Sequence, residues 1–176
     1  YAIDTEKFYE NVMNRYKYGG LDTPGLYLDE TTMRICYSHR RLFAQLAKEL
    51  VKQGDNARAQ KVLAYAEQAI PAYNVPQVYE SGSYDIATAY ASIGETGKAI
   101  TLLNDLISES RDYIDWAFSL GDSRIAMVQR DCLYKFWQWN QCNGLLKDMD
   151  KERYKQSNQQ FEEKYMRLAQ LMNYQN

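Results

Sequence analysis

His39 is the single histidine of this 176-residue chain, and Arg40 and Arg41 follow it directly. One imidazole cannot build a His-rich metal site. The cysteines Cys36, Cys132 and Cys142 form no C-x-x-C, and their odd number excludes a complete disulfide framework. They read as small buried hydrophobes. Asp148-Met149-Asp150 spells the D-x-D with which some glycosyltransferases hold a metal and a sugar nucleotide. Those enzymes mount it on an α/β sheet, and no strand pattern surrounds it here, so Asp150 reads instead as a helix N-cap. Asp29-Glu30 reads as an acidic pair at a helix start, favoured by the helix dipole. Gly19-Gly20 lacks the flanking pattern of a phosphate loop, and neither G-x-x-x-x-G-K-[ST] nor G-x-S-x-G occurs. The sequence therefore assigns no catalytic residue, no metal ligand and no cofactor.

Binding chemistry is better represented. Aromatic residues reach 14%, with 16 tyrosines. Trp137 and Trp139 stand two apart, so on a helix they face different ways, one toward a core and one toward solvent. Tyr113, Trp116 and Tyr134 are close in sequence. Exposed aromatics stack on sugars or anchor a partner, whereas buried tyrosines fill wide gaps between helices. Both readings apply to this set.

The elements that must position these groups are helices. Hydrophobic residues make up 45% and charged residues 25%, which fits a globular chain rather than a disordered one. A net charge of −2 carries no nucleic-acid footprint. Three prolines and nine glycines are too few for an all-β protein. No apolar run reaches the roughly 18–20 residues that span a bilayer. The first residue is Tyr1, which suggests a piece of a longer chain.

Asp4, Asp29 and Asp150 are expected N-caps, and Asp122 or Ser123 a fourth. Gly54, Gly94, Gly121 and Gly144 are expected helix stops. Seven helices result. Gly54 and Gly94 stand 40 residues apart, and in that register Ala47 matches Ala87, Leu50 matches Tyr90, Ala59 matches Ala99 and Leu63 matches Leu103. Small residues where paired helices cross, larger ones between, and a closing Pro71 make a tetratricopeptide (TPR) register. The expected fold is all-α: a TPR-like right-handed α-α superhelix forming one domain over residues 1–176. Residues 1–39 hold the N-terminal capping helix, a loop and the start of the first repeat helix. Residues 40–73 and 80–113 are the repeats, the second weaker, with Ser83 at the bulky first position. Residues 74–79 lengthen the joint, and residues 114–176 supply C-terminal helices.

In such a stack the first helix of each pair lines the concave face. This predicts a binding face of Arg41, Lys48, Lys52, Tyr84 and Thr88, with Ala44, Val51, Ser81, Ala91 and Ser92 beside them. An acidic or C-terminal peptide suits its cations. Trp137 and Trp139 are the alternative aromatic surface.

Tyr18-Gly19-Gly20, Tyr27-Leu28-Asp29-Glu30, Met33-Arg34-Ile35-Cys36, Asn74-Val75-Pro76 and the 116–120 stretch carry a resemblance. The chain resembles the C-terminal soluble region of large Bacteroidetes membrane proteins, a domain of unknown function, whose N-terminal half resembles protein O-mannosyltransferases. The resemblance implies a missing multi-spanning membrane part that would hold any glycosyl-transfer chemistry, and a membrane-attached module on the periplasmic side. The expected function is a non-catalytic interaction module or scaffold, which binds a protein or peptide partner or its own membrane region. The alternative is a carbohydrate-binding or accessory role in glycosyl transfer. Nucleic acid is not an expected partner.

Overall fold

The computed structural model describes residues 3–173. Among them there is no strand, and seven α-helices follow one another: α1 (Thr5–Glu10), α2 (Glu30–Lys52), α3 (Asn56–Ala69), α4 (Ser83–Ser92), α5 (Thr96–Ser119), α6 (Ile125–Met149) and α7 (Lys151–Asn173). A π-type turn, Asn11–Arg15, extends α1, and a 3-10 turn, Tyr79–Ser81, precedes α4. The chain forms two compact units, residues 1–102 and 103–176, which divide within α5.

In the first unit the expected caps are formed. The carboxylates of Asp4 and Asp29 accept from the amides of Lys7 (3.1 Å) and Thr32 (2.7 Å). Asp55 caps α3 by accepting from the Arg58 amide at 3.0 Å. α2 ends in a Schellman turn: Gly54 N–H donates to Val51 O (3.0 Å) and Asp55 N–H to Leu50 O (2.9 Å), with Gly54 at φ 78°. The same turn closes α4, through Gly94 to Ala91 O (3.2 Å) and Glu95 to Tyr90 O (2.9 Å). α2 packs on both α3 and α4. Phe43, Leu46, Ala47 and Leu50 on α2 have no exposed surface, nor have Ala59, Val62 and Leu63 on α3. Ala87 on α4 and Ala99 on α5 are fully buried as well.

One core residue escapes the hydrophobic pattern. Arg40 is only 1% exposed. One terminal nitrogen donates to Pro76 O (2.8 Å) and Ser81 Oγ (3.2 Å), and the other to Ile70 O (3.2 Å) and Val75 O (2.6 Å). No carboxylate pairs with it among the described residues. Burial pushes its pKa down, yet a guanidinium keeps its proton in proteins, so this is a buried cation solvated by backbone carbonyls. Ser81 also donates to Val78 O (2.8 Å) and shares a hydrogen with Ser83 Oγ (2.8 Å). The small polar Ser83, out of pattern for a repeat, is therefore part of this network. The longer joint is a strap folded onto α2.

In the second unit α6 packs on α7. The buried series on α6 is Ile125, Cys132, Phe136, Trp139, Cys142 and Leu146. Phe136 meets the edges of Phe161 (5.4 Å) and Tyr165 (5.2 Å) on α7, and Trp139 meets Phe161 at 5.7 Å. Asp150 caps α7, accepting from the Arg153 amide at 3.0 Å. Two expectations fail on α6. α6 starts at Ile125 behind Arg124, with no side-chain cap, so neither Asp122 nor Ser123 caps it. Gly144 does not end α6: it lacks the positive φ of a C′ glycine and lies on the exposed face, while the core stripe continues to Leu146. Leu133 and Trp137 are 37% and 46% exposed, because the stripe follows Cys132, Phe136 and Trp139.

Two stability tests follow from this packing. Ala59→Leu adds three carbons at a site with no exposed surface, and the expected cost is about 1–3 kcal/mol; an unchanged melting temperature contradicts the close packing at that position. Arg40→Gln leaves several buried carbonyls without a donor, and the expected loss is about 3 kcal/mol or more. Urea denaturation measures it, and a loss within the scatter of ordinary surface substitutions means that the strap does not depend on Arg40.

Candidate functional site

The predicted concave face is partly assembled. Between α2 and α4 lies a cavity of about 220 Å³. Lys48, Val51 and Lys52 line it from α2, and Asp85, Thr88 and Ser92 from α4, with Ala89 contributing its methyl. These positions follow the helix period: 48, 51 and 52 share one face of α2, and 85, 88 and 92 one face of α4. Lys52 is tied to Glu49 at 2.7 Å. Lys48 and Asp85 have no ion-pair or hydrogen-bond partner among the described residues. Thr88 Oγ1 donates to Tyr84 O (3.0 Å) and Ser92 Oγ to Thr88 O (2.9 Å), so both hydroxyls spend their hydrogens on α4 and keep lone pairs free. The groove thus combines a small apolar floor with two ammonium groups, one carboxylate and two hydroxyl acceptors.

The other predicted residues lie elsewhere. Arg41 donates to Glu80 O (2.6 Å) and Ser38 Oγ (2.9 Å), beside a separate open hollow of about 620 Å³ next to Tyr37 and Val78. Tyr84 stacks on Tyr79, with ring centroids 5.1 Å apart. Ala44 and Ser81, expected to face a ligand, are buried at 2% and 0% exposure. Ala44 sits under Gly82, and Ser81 belongs to the Arg40 network. Asp85 was not among the predicted residues. Its spacing of three from Thr88 and seven from Ser92 was the available signal.

Gly82 sets how closely the two walls approach. It stands at φ 84°, and a Cβ added there would meet Arg41 Cγ at 3.0 Å and Arg41 Cα at 3.1 Å. Glycine is required twice, by conformation and by the nearness of the α2 backbone.

The aromatic surface divides as the two-residue spacing implies. Trp139 is fully buried, so it is no part of a binding surface. Its Nε1–H donates to Ser157 Oγ (2.8 Å), which donates to Asn143 Oδ1 (2.6 Å). Trp137 is half exposed and stacks nearly parallel on Tyr134, with centroids 5.6 Å apart and planes at 11°. Tyr113 and Trp116 form a second, tilted pair at 5.2 Å.

His39 stands edge-on to Tyr16 (5.6 Å) and Tyr18 (5.4 Å), a packing role. The three cysteines are free and buried, and burial pushes the Cys142 thiol up to about 12, far from a reactive thiolate. Among the described residues no three His, Cys, Asp or Glu side chains gather as metal ligands. No helix among them is long and apolar enough to cross a membrane. No protein-family model, curated protein or solved structure matches the chain.

Gly82→Ala tests the wall contact. The strained φ and the contact with the α2 backbone together predict a loss of about 1–3 kcal/mol in chemical denaturation. A variant as stable as the parent shows that α2 and α4 are not held this closely.

Proposed function

We propose that this chain is a non-catalytic protein-interaction module of TPR-like, right-handed superhelical architecture, whose α2–α4 groove takes an acidic peptide segment. The observation that carries the reading is Lys48, an ammonium with no partner among the described residues, set beside the Val51 and Ala89 surface and next to Lys52. A peptide carboxylate would pair with Lys48 and Lys52, while Thr88 and Ser92 oxygens accept backbone N–H groups. Asp85 disfavours polyanions and favours a segment with a donor next to its acid. The repeated Schellman turns at Gly54 and Gly94, and the buried Ala47, Ala59, Ala87 and Ala99, support the repeat architecture. The resemblance noted above implies a glycosyltransferase-like membrane region beside the module on the periplasmic side, and on that reading a tail of that region is one candidate segment.

A carbohydrate-binding role is the second reading, favoured by the half-exposed, parallel Tyr134–Trp137 pair, a flat surface suited to a pyranose face.

Fluorescence anisotropy with a panel of acid-terminated peptides tests the first reading. Lys48→Glu and Lys52→Glu made together reverse two charges, and the expected loss of affinity is about tenfold or more, with helix content unchanged by circular dichroism. Peptide binding that survives this double change removes the groove as the site. A glycan array on which Trp137→Ala loses all signal then favours the second reading.

A further inference from the structure

A second cleft, of about 410 Å³, opens within the second unit, between α5 and α7. It is unlike the first groove in being polar on nearly every side. Ile107 is its single aliphatic contributor, and the rest of the lining is amide, hydroxyl, carboxylate and guanidinium. Pockets for drug-sized organic ligands of this volume are lined mainly by hydrophobic groups, so the chemistry here calls for a ligand that is itself polar all round.

The lining side chains divide into groups that build the cleft and groups that are free to serve it. Arg111 braces it, donating to Gln160 Oε1 on α7 (3.3 Å) and to Ser108 Oγ (3.1 Å). A Lys164–Asp115 ion pair joins the same two helices one turn further on. Ser157 at the back is fixed by the buried Trp139 and Asn143. Arg153 uses its Nε on Asp150 (3.0 Å), which leaves both terminal nitrogens without a partner among the described residues. Asn104 and Asp105 have no hydrogen-bond partner among them either, and Gln160 keeps its amide N–H groups. The uncommitted set is therefore two guanidinium nitrogens, two amide groups and a carboxylate.

We propose that this α5–α7 cleft binds an acidic sugar, with its carboxylate on the two open Arg153 nitrogens and its hydroxyls on Asp105, Asn104 and Gln160. Each group discriminates. Both guanidiniums already face acids, Arg153 Nε on Asp150 at 3.0 Å and Arg111 Nε at 3.9 Å from Asp112, so the choice of an acid rests on the fork of two open Arg153 nitrogens and not on net charge. Asp105 stands against simple inorganic anions, which offer it no donor; a sugar hydroxyl donates to it. Partial burial pushes the pKa of Asp105 up although the residue is exposed, and a donor from a ligand would give its carboxylate a partner. Paired donor and acceptor atoms on amides match adjacent ring hydroxyls, which both give and accept hydrogens. The site shares no residue with the α2–α4 groove or with the Tyr134–Trp137 pair, and it stands whether or not a peptide binds the groove.

The test is an amide chemical-shift titration of the whole chain with glucuronate and with a glucuronate-terminated disaccharide. Glucose serves as the hydroxyl-only control and acetate as the carboxylate-only control. Saturable shifts confined to residues 104–111 and 153–160, given by the uronates and by neither control, are the expected result. A disaccharide that binds more tightly than free glucuronate identifies a glycan end as the source, and the reverse order identifies a free sugar acid. Arg153→Gln, which keeps a neutral donor at the surface, is expected to weaken the uronate about tenfold or more, with the melting temperature showing that α7 remains folded. The proposal is overturned if uronates produce no saturable shifts, if acetate reproduces them, or if the folded Arg153→Gln variant binds as the parent does.

Discussion

A buried arginine that no acid among the described residues pairs with is the constraint on which the first unit rests. The strap between α3 and α4 contains Pro71 and Pro76, neither of which can donate a backbone hydrogen. Its carbonyls turn inward, and three of them, from Ile70, Val75 and Pro76, converge on one point beside α2. Buried carbonyls without donors are costly. A single guanidinium carries five donors in a rigid plane, enough to serve three carbonyls and the Ser81 hydroxyl together. A lysine has three donors on a mobile tip and could not span that arrangement. The cost of burying the cation is offset by four hydrogen bonds to its own fold, and the strap in turn fixes where α4 begins.

That anchoring reaches the groove. α4 follows Ser81 and Gly82 directly, and Gly82 lies against the α2 backbone beside Arg41. The lower walls of the groove, at Lys48 and Asp85, therefore inherit their spacing from a network one to two turns away. The N-terminal loop is tied to the same strap. Asn74 donates to Leu21 O and Thr23 O, both at 2.7 Å, and Tyr73 donates to Asp22 O at 2.8 Å. A segment rich in glycine and polar residues is held in this way by contacts more than fifty positions distant in sequence.

What the sequence revealed and what it concealed differ by the range of the forces involved. Caps at Asp4, Asp29 and Asp150, stops at Gly54 and Gly94, and the alanine register are local or periodic, and all could be read from residue spacing. Arg40 could not. It stands in the run His39-Arg40-Arg41, where charge suggests solvent, and only the strap thirty to forty residues away explains its burial. Trp139 was assigned to the aromatic surface along with Trp137, although the two-residue spacing permitted only one exposed ring. Gly144 was read as a helix stop because glycine usually favours one. On the exposed face of α6 a glycine costs the helix only about 1 kcal/mol against alanine, and the buried stripe through Cys142 and Leu146 outweighs that.

Cations close together in the sequence need not share a face or a role. Arg40, Arg41, Lys48 and Lys52 lie within thirteen positions on one helix, and sequence placed three of them on a ligand face. Successive residues on a helix turn through 100°, so Arg40 enters the core while Arg41 bends over the α4 entry to reach Glu80 O. Lys52 shares its charge with Glu49, three residues away on α2. Of the four, Lys48 alone has no hydrogen-bond or ion-pair partner among the described residues. As the peptide site proposed for it, a groove with one uncommitted ammonium, a half-shared one and a small apolar floor would draw most of its selectivity from shape and from where Asp85 disfavours negative charge. Its electrostatic part falls with salt, since both ammonium groups are open to solvent. Affinity for the proposed segment would then come from matching the pattern of donors and acids along it, not from net charge.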